Sequence, residues 1–167
     1  MLTMTRLSTA DLCDGHEQQL QVCLPLLRHF GGRKNFHGQI VTLKCFEDNS
    51  LVRDTLNEPA HGEVLVVDGG GSLRCALLGD KLAALALQHG WAGMVINGCI
   101  RDSAQIASMD IGVMALATHP RKSVKLGCGQ RNVSLNFAGV NFHPGNYLYC
   151  DADGILLAEQ ALTLEAG

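Results

Sequence analysis

Two short, wholly apolar runs with one helix between them restrict the folds open to this chain more than any other feature. Glu63-Val64-Leu65-Val66-Val67-Asp68 is closed by Gly69-Gly70-Gly71, and Gly93-Met94-Val95-Ile96-Asn97-Gly98 leads into Cys99-Ile100-Arg101-Asp102. Apolar runs this short, bounded by turn residues, fit buried strands. Between them, Gly79 to Gly90 predicts a helix. Asp80 can cap it, Leu82, Leu85, Ala86 and His89 share one face, and Gly90 stops it. In such a strand–helix–strand unit, the helix start and the C-terminal end of the second strand lie at one edge of the sheet. The spacing therefore lets Asp80, the amides of residues 80 to 82, Arg101 and Asp102 meet in one crevice.

The remaining pattern predicts a layered α/β domain with a mixed sheet. Ser8-Thr9-Ala10-Asp11 reads as a helix start with Leu12 and Cys13 turned inward, and Phe30-Gly31-Gly32 as a break. The later half of His37 to Phe46 alternates like a strand, and Asn49 to Asn57 suits a short helix. Val113 to Ala117, Val133 to Phe137 and Tyr147 to Cys150 read as strands. Asp151-Ala152-Asp153-Gly154 reads as a turn, followed by Ile155-Leu156-Leu157 and a last helical segment.

At 167 residues, with 47% hydrophobic and 17% charged, the chain can bury a sizeable core, and we expect one domain over 1–167. The net charge of −3 and the lack of a Lys/Arg stripe argue against direct nucleic-acid binding, while an acidic surface can meet a basic partner. Seven cysteines, without a CxxC pair, suggest neither a zinc cluster nor a disulfide scaffold; most are expected as buried thiols. Met1 to Thr9 has no apolar signal core and no run is long enough to span a bilayer, so a cytoplasmic protein without membrane contact is expected.

The chemistry of the crevice is specific in type. A helix start offers unpartnered N–H groups to an anion. Arg101 offers a planar fork to a carboxylate or keto oxygen. Asp102 offers one hard oxygen, which suits Mg²⁺ or Mn²⁺ with water and substrate filling the other positions, and does not suit zinc. A 2-oxo acid could chelate such a cation, which would stabilise an enolate formed by breaking a C–C bond. On residue pattern alone, Arg-Asp is usually a surface pair or a turn and Asp80 more often a simple cap. Lys81 is expected to be solvated, with only its backbone in use. Gly69-Gly70-Gly71-Ser72 lacks the P-loop lysine and reads as a turn. The seven histidines show no HxxxH pair, and Gly127-Cys128-Gly129 has no adjacent base.

Over almost its whole length the chain resembles the RraA-like family, which includes regulators of ribonuclease E activity and metal-dependent 4-hydroxy-4-methyl-2-oxoglutarate aldolases. The resemblance is carried by Thr9-Ala10-Asp11-Leu12-Cys13-Asp14, Phe30-Gly31-Gly32-Arg33, Phe36-His37-Gly38-Gln39-Ile40-Val41-Thr42-Leu43-Lys44-Cys45 and Val64 to Ser72. Trp91-Ala92-Gly93 and Asp110-Ile111-Gly112-Val113 extend it. The aldolase branch is marked by Asp, twenty intervening residues and Arg-Asp, a spacing met by Asp80 and Arg101-Asp102. By this resemblance Gly79, Asp80, Lys81 and Leu82 are the substrate-holding loop, Arg101 and Asp80 catalytic, and Asp102 the metal ligand. It implies a β/β/α swivelling-domain fold assembled as a homotrimer, with sites near subunit interfaces. It also implies cleavage of the hydroxy-methyl substrate and decarboxylation of oxaloacetate through a pyruvate enolate, with the general base left unassigned. Cys45-Phe46-Glu47-Asp48-Asn49 looks closest to the regulator branch, whose members bind ribonuclease E and tend to lose the second half of Arg-Asp; this chain keeps it. Some members carry a menaquinone methyltransferase label, but only the glycine turn at Gly69 to Gly71 hints at that chemistry here.

Overall fold

The computed structural model describes residues 6–164. In chain order these form α1 (Thr9–His16), β1 (Leu20–Val22), β2 (Arg28–His29), β3 (Phe36–Lys44), α2 (Ser50–Leu56), β4 (Val64–Asp68) and β5 (Ala76–Leu78). Then come α3 (Asp80–Gln88), β6 (Gly93–Ile100), α4 (Ser103–Ile106), β7 (Gly112–Thr118), β8 (Gln130–Arg131), β9 (Leu135–Phe137), β10 (Val140–Phe142), β11 (Tyr147–Asp151) and β12 (Gly154–Ala158).

The two halves of β3 pair in different ways, and this gives the mixed sheet its bend. Phe36 to Gln39 run antiparallel to β11, whereas Ile40 to Lys44 run parallel to β4. From there β4, β6 and β7 continue in parallel, and the path ends on the antiparallel edge strand β2; on the other side β11 leads to β12 and β1. The parallel strands are covered on both faces, as their apolar runs require. Leu65, Val67, Met94 and Ile96 join Val52, Leu56, Ala83 and Ala86 of the helices on one side. Val64, Val66 and Val95 join Phe142, Leu148 and Leu157 on the other. A third cluster seats Leu12 of α1 on Tyr149 and Leu156.

Close backbone approach fixes how the first turn of the sheet packs. The Phe36 ring lies so near the starts of β6 and β7 that a Cβ on Gly112 would fall 2.2 Å from Phe36 Cδ1, and one on Gly93 would fall 2.7 Å from Cδ2. Helix α3 ends as its sequence predicts: the Trp91 N–H donates to Ala86 and the Gly90 N–H to Leu87, the paired bonds of a left-handed glycine stop. Trp91 is buried, and its indole N–H donates to the Glu58 carbonyl at 3.2 Å.

Two expectations change. The segment after β12 is not helical through Leu164; the residues beyond lie outside the described part. The Leu162 N–H donates to Tyr149 Oη at 2.7 Å, and Leu162 and Leu164 pack on the α1 cluster. That docking outweighs the helix propensity of a six-residue stretch, which is too short to hold a helix alone. The second difference is β5, unforeseen, which sits directly before α3 and pairs in parallel with β6.

The loop that follows β7 is anchored by a buried acid. Asp48 Oδ1 accepts from the Ser50 N–H at 2.9 Å and hydroxyl at 2.6 Å; Oδ2 accepts from the N–H groups of Leu126 at 2.8 Å and Cys128 at 3.1 Å. Burial pushes this carboxyl up, but the bonds from Ser50, Cys128 and Leu126 outweigh it and hold it down at about 2. A depressed folded value contributes stability that is present above the unfolded value of about 3.9 and lost as pH falls through the folded one. Asp48→Asn would turn an NH₂ donor onto two donors, at about 1–3 kcal/mol. We expect its melting temperature to fall below wild type at pH 7, with the gap closing as the pH is lowered toward 2. Parallel melts of both proteins across that range check this.

Candidate active site

The unit that builds the site is β5–α3–β6. Leu78 of β5 is aligned with Ile100 of β6, and the Arg101 N–H continues the pairing by donating to the Leu78 carbonyl at 2.9 Å. The chain leaves β5 through Gly79 into α3, and leaves β6 through Arg101 into the turn at Asp102. Both exits are therefore at one edge, and Asp80, Arg101 and Asp102 are brought together there.

Contact between them is direct. Asp102 Oδ2 accepts the Asp80 N–H at 3.1 Å and lies 4.0 Å from Arg101 Nε. Both side chains are little more than one-third exposed, so the pair is open to a ligand. Asp102 takes left-handed backbone angles, φ 55 and ψ 40, which aspartate adopts more readily than most residues. Gly79, not Asp80, is the cap position of α3; Asp80 is its first residue.

The helix amides are more committed than the sequence implies. The N–H of Asp80 is held by Asp102, and that of Lys81 donates to Asp80 Oδ1 at 2.9 Å. Among the described residues the Leu82 amide has no acceptor, and the Leu82 side chain packs partly on the core. Lys81 is exposed, as expected of a residue whose backbone alone is of interest.

Asp102 is the carboxylate of this group that could take a cation. Among the described residues no three His, Cys, Asp or Glu side chains gather into a cation site. Asp102 accordingly offers a single carboxylate, which fits Mg²⁺ or Mn²⁺ keeping several water or substrate oxygens, and does not fit a closed zinc site. Cys23 and Cys45 are buried, and burial pushes both thiols up to about 12, far from a reactive thiolate. Cys128 is exposed, without an adjacent base.

The glycine turn after β4 does not cradle a phosphate. The N–H groups of Gly69 and Gly71 both donate to the Asn97 carbonyl at 3.1 Å, and that of Gly70 to Asp68 Oδ1 at 2.9 Å. The Asn97 side chain closes the same knot on Asp68 Oδ1 at 2.9 Å. These amides tie β4 to β6 and are not free for a nucleotide or S-adenosylmethionine.

Sequence reading missed the segment after β7. The His119 N–H donates to the Ile100 carbonyl at 2.9 Å and the Arg121 carbonyl accepts from the Ala76 N–H at 2.7 Å. This brings the exposed Arg121 and Lys122 beside β5 and the end of β6. The cluster of basic residues at 121 to 125 was the available signal. A cavity of about 510 Å³ opens elsewhere, beside β1 and β12, and none of the predicted site residues lines it. Among the described residues, no helix is long and apolar enough to cross a membrane.

Comparison with known proteins agrees with this frame. A relative from Alkalilimnicola ehrlichii is 57% identical over 154 residues, covering 92% of this chain and 96% of its own, and bears the provisional name 4-hydroxy-4-methyl-2-oxoglutarate aldolase. A structure from Geobacillus kaustophilus HTA426, named S-adenosylmethionine:2-dimethylmenaquinone methyltransferase, superposes with a TM-score of 0.92 at 53% identity, over 93% of this chain and 97% of that one. The RNA-processing inhibitor RraA from Thermus thermophilis superposes at 0.91 with 44% identity, over 95% and 96%. Its fold is the layered α/β arrangement with a curled mixed sheet found here. The profile described as RraA-like, aldolase/RraA, matches residues 9–157, and the chain belongs to that family.

Proposed function

We propose that the protein is a divalent-cation-dependent carbon–carbon lyase that cleaves 4-hydroxy-4-methyl-2-oxoglutarate to pyruvate and also decarboxylates oxaloacetate. The observation that carries this reading is the contact of Asp102 with the start of α3 beside Arg101, in a chain whose relatives bear the aldolase name. In the reaction the C3–C4 bond breaks, its electron pair passes toward the C2 carbonyl, and the C4 hydroxyl loses its proton to become the ketone of a second pyruvate. Protonation of the first product's C3 completes it.

Asp102 would hold a Mg²⁺ or Mn²⁺ ion, which would supply Lewis-acid stabilisation of charge at the substrate's keto oxygen. Arg101 has a fork of N–H donors to orient the carboxylate or keto group of a 2-oxo acid and favour its charged form. The Gly79–Leu82 segment provides the positive end of α3, with the Leu82 amide available to an anion. Asp80 holds the Lys81 amide and so fixes the turn on which these groups sit. Arg121 and Lys122, exposed beside β5, add positive charge near the edge, which draws dianionic acids toward it.

Pyruvate release from either substrate with added Mg²⁺ or Mn²⁺ tests the reading. Arg101→Ala is expected to lose about 10²- to 10³-fold in rate, the usual effect of removing one transition-state donor. Asp102→Ala should fall to the rate of EDTA-treated wild type. Equal, EDTA-insensitive rates in wild type and Asp102→Ala would sink it.

We further propose that the site works within a homotrimer. Phe46, Leu73, Val124 and Leu126 are each more than half exposed on the loops tied to Glu47 and Asp48, beside the site's edge. Exposed apolar residues that cluster in this way mark an association surface. Light scattering is expected to give three times the 17.9 kDa chain mass, and Leu126→Glu to shift it toward one.

A second reading, a protein-binding regulator of ribonuclease E in the cytoplasm, draws on the likeness to an RNA-processing inhibitor. The acidic net charge of −3 suits contact with a basic segment of that enzyme. Pull-down of ribonuclease E at low salt, weakening as salt screens exposed charges, is the expected result. No complex at low salt rejects it.

A further inference from the structure

Asp102 occupies the residue position that caps α4, yet its carboxylate makes no capping bond to α4. It reaches across to a different helix instead and takes the first N–H of α3, from Asp80, on Oδ2 at 3.1 Å. Aspartate at a cap position ordinarily bonds the amides of its own helix. Here the backbone around it is fixed from both sides: the Arg101 N–H donates to Leu78 and the Asp102 carbonyl accepts from the Ile106 N–H at 3.0 Å. The nearer cation, Arg101 Nε, stands 4.0 Å off, so the amide is the group that sets where Oδ2 lies.

Gly79 makes this cross-helix bond possible. Its φ of −124 is ordinary for any residue, so its own backbone does not call for glycine. Space does: a Cβ at this position would fall 2.7 Å from Asp102 Oδ2 and 3.5 Å from Arg101 Cγ. Any side chain here would push on the carboxylate itself. Among the described residues Oδ1 accepts no hydrogen bond.

We propose that the Asp80 backbone amide and the bare Cα of Gly79 are the positioning elements of a single-oxygen cation site: they hold Asp102 Oδ2 and leave Oδ1 as the one oxygen offered to the metal. This rests on the assignment of the cation to Asp102 made above. Groups that orient a metal-binding carboxylate typically matter about 10- to 100-fold in affinity. A carboxylate with one oxygen already committed suits Mg²⁺ and Mn²⁺, which take ligands one oxygen at a time. It is poorer for Ca²⁺, which often binds carboxylates through both oxygens.

The first position of α3 allows the amide to be removed by itself. Proline is favoured at the first residue of a helix, and Gly79 before it is extended, φ −124 and ψ −172, outside the α region that a following proline disfavours. Asp80→Pro and Asp80→Ala both lose the side chain, but only the first loses the N–H. Mn²⁺ alone, titrated by calorimetry or by its paramagnetic resonance signal, is the probe, with the melting temperature of each variant measured alongside. Asp80→Pro is expected to bind Mn²⁺ at least about tenfold more weakly than Asp80→Ala, and to narrow the preference for Mn²⁺ over Ca²⁺. Gly79→Ala is expected to behave like Asp80→Pro, and it decides the matter if the proline variant does not fold. Equal Mn²⁺ affinity in Asp80→Pro, Gly79→Ala and Asp80→Ala overturns the positioning role while leaving the cation reading intact. A wild type that binds no Mn²⁺ overturns both.

Discussion

The hydrogen bond from the Asp80 amide to Asp102 depends on one constraint, the parallel register of β5 with β6. With Leu78 opposite Ile100, the chain leaves both strands at the same height, and the start of α3 has to face the turn after β6. A register slip of one residue would turn every side chain of β5 to the opposite face and draw Gly79 away from Asp102. The core resists such a slip. Cys75, Ala76, Leu77 and Leu78 are all buried, and Leu77 Cδ1 lies where a Cβ on Gly69 would need to be, at 2.5 Å. The site is thus held by packing beneath it more than by its own exposed ion pair, whose 4.0 Å separation and solvent access make it weak.

The same edge is reinforced by three polar ties, each with a separate role. Asp68 and Asn97 join the ends of β4 and β6 through the glycine turn. Asp48 holds the Leu126–Cys128 loop and Asn49 reaches Leu77 at 3.1 Å, so α2 and β5 are fixed to each other. Glu47 takes Ser72 at 2.7 Å and pairs with Arg74, whose guanidinium lies 5.9 Å from the Phe46 ring centre. Loops at the C-terminal ends of parallel strands ordinarily carry function because a rigid sheet positions them. Here the loops are also bound to one another by these hydrogen bonds.

What could be read from the sequence follows the length of each signal. The runs at 63 to 68 and 93 to 98 and the helix ended by Gly90 were legible because each spans enough residues to show a pattern and a stop. Arg101 and Asp102 were legible because a crossover connection fixes which strand end meets which helix start. Strand β5 was not: three residues carry no period, and they become a strand only because β6 offers an edge. The segment at 159 to 164 misled for the opposite reason. Its composition favours a helix, but Tyr149 and the α1 cluster supply a better partner for Leu162 than a solvated last turn could. The commitment of the Asp80 and Lys81 amides was hidden too, since a cap position in sequence does not say which helix the carboxylate will cap.

Charge gives a last distinction that the net value of −3 conceals. At the active edge Asp48 and Asp68 are buried and hydrogen-bonded, and Glu47 is paired with Arg74. The charges still open to solvent there are Arg101, Arg121 and Lys122 with Asp80 and Asp102, so cations and carboxylates are interleaved along it. Each exposed cation there attracts a small carboxylate and disfavours a basic protein segment. Asp11, Asp14, Glu17 and Glu159 are exposed elsewhere, in and just after α1 and just after β12. A lyase site and a surface for a basic partner can then use different faces of one chain.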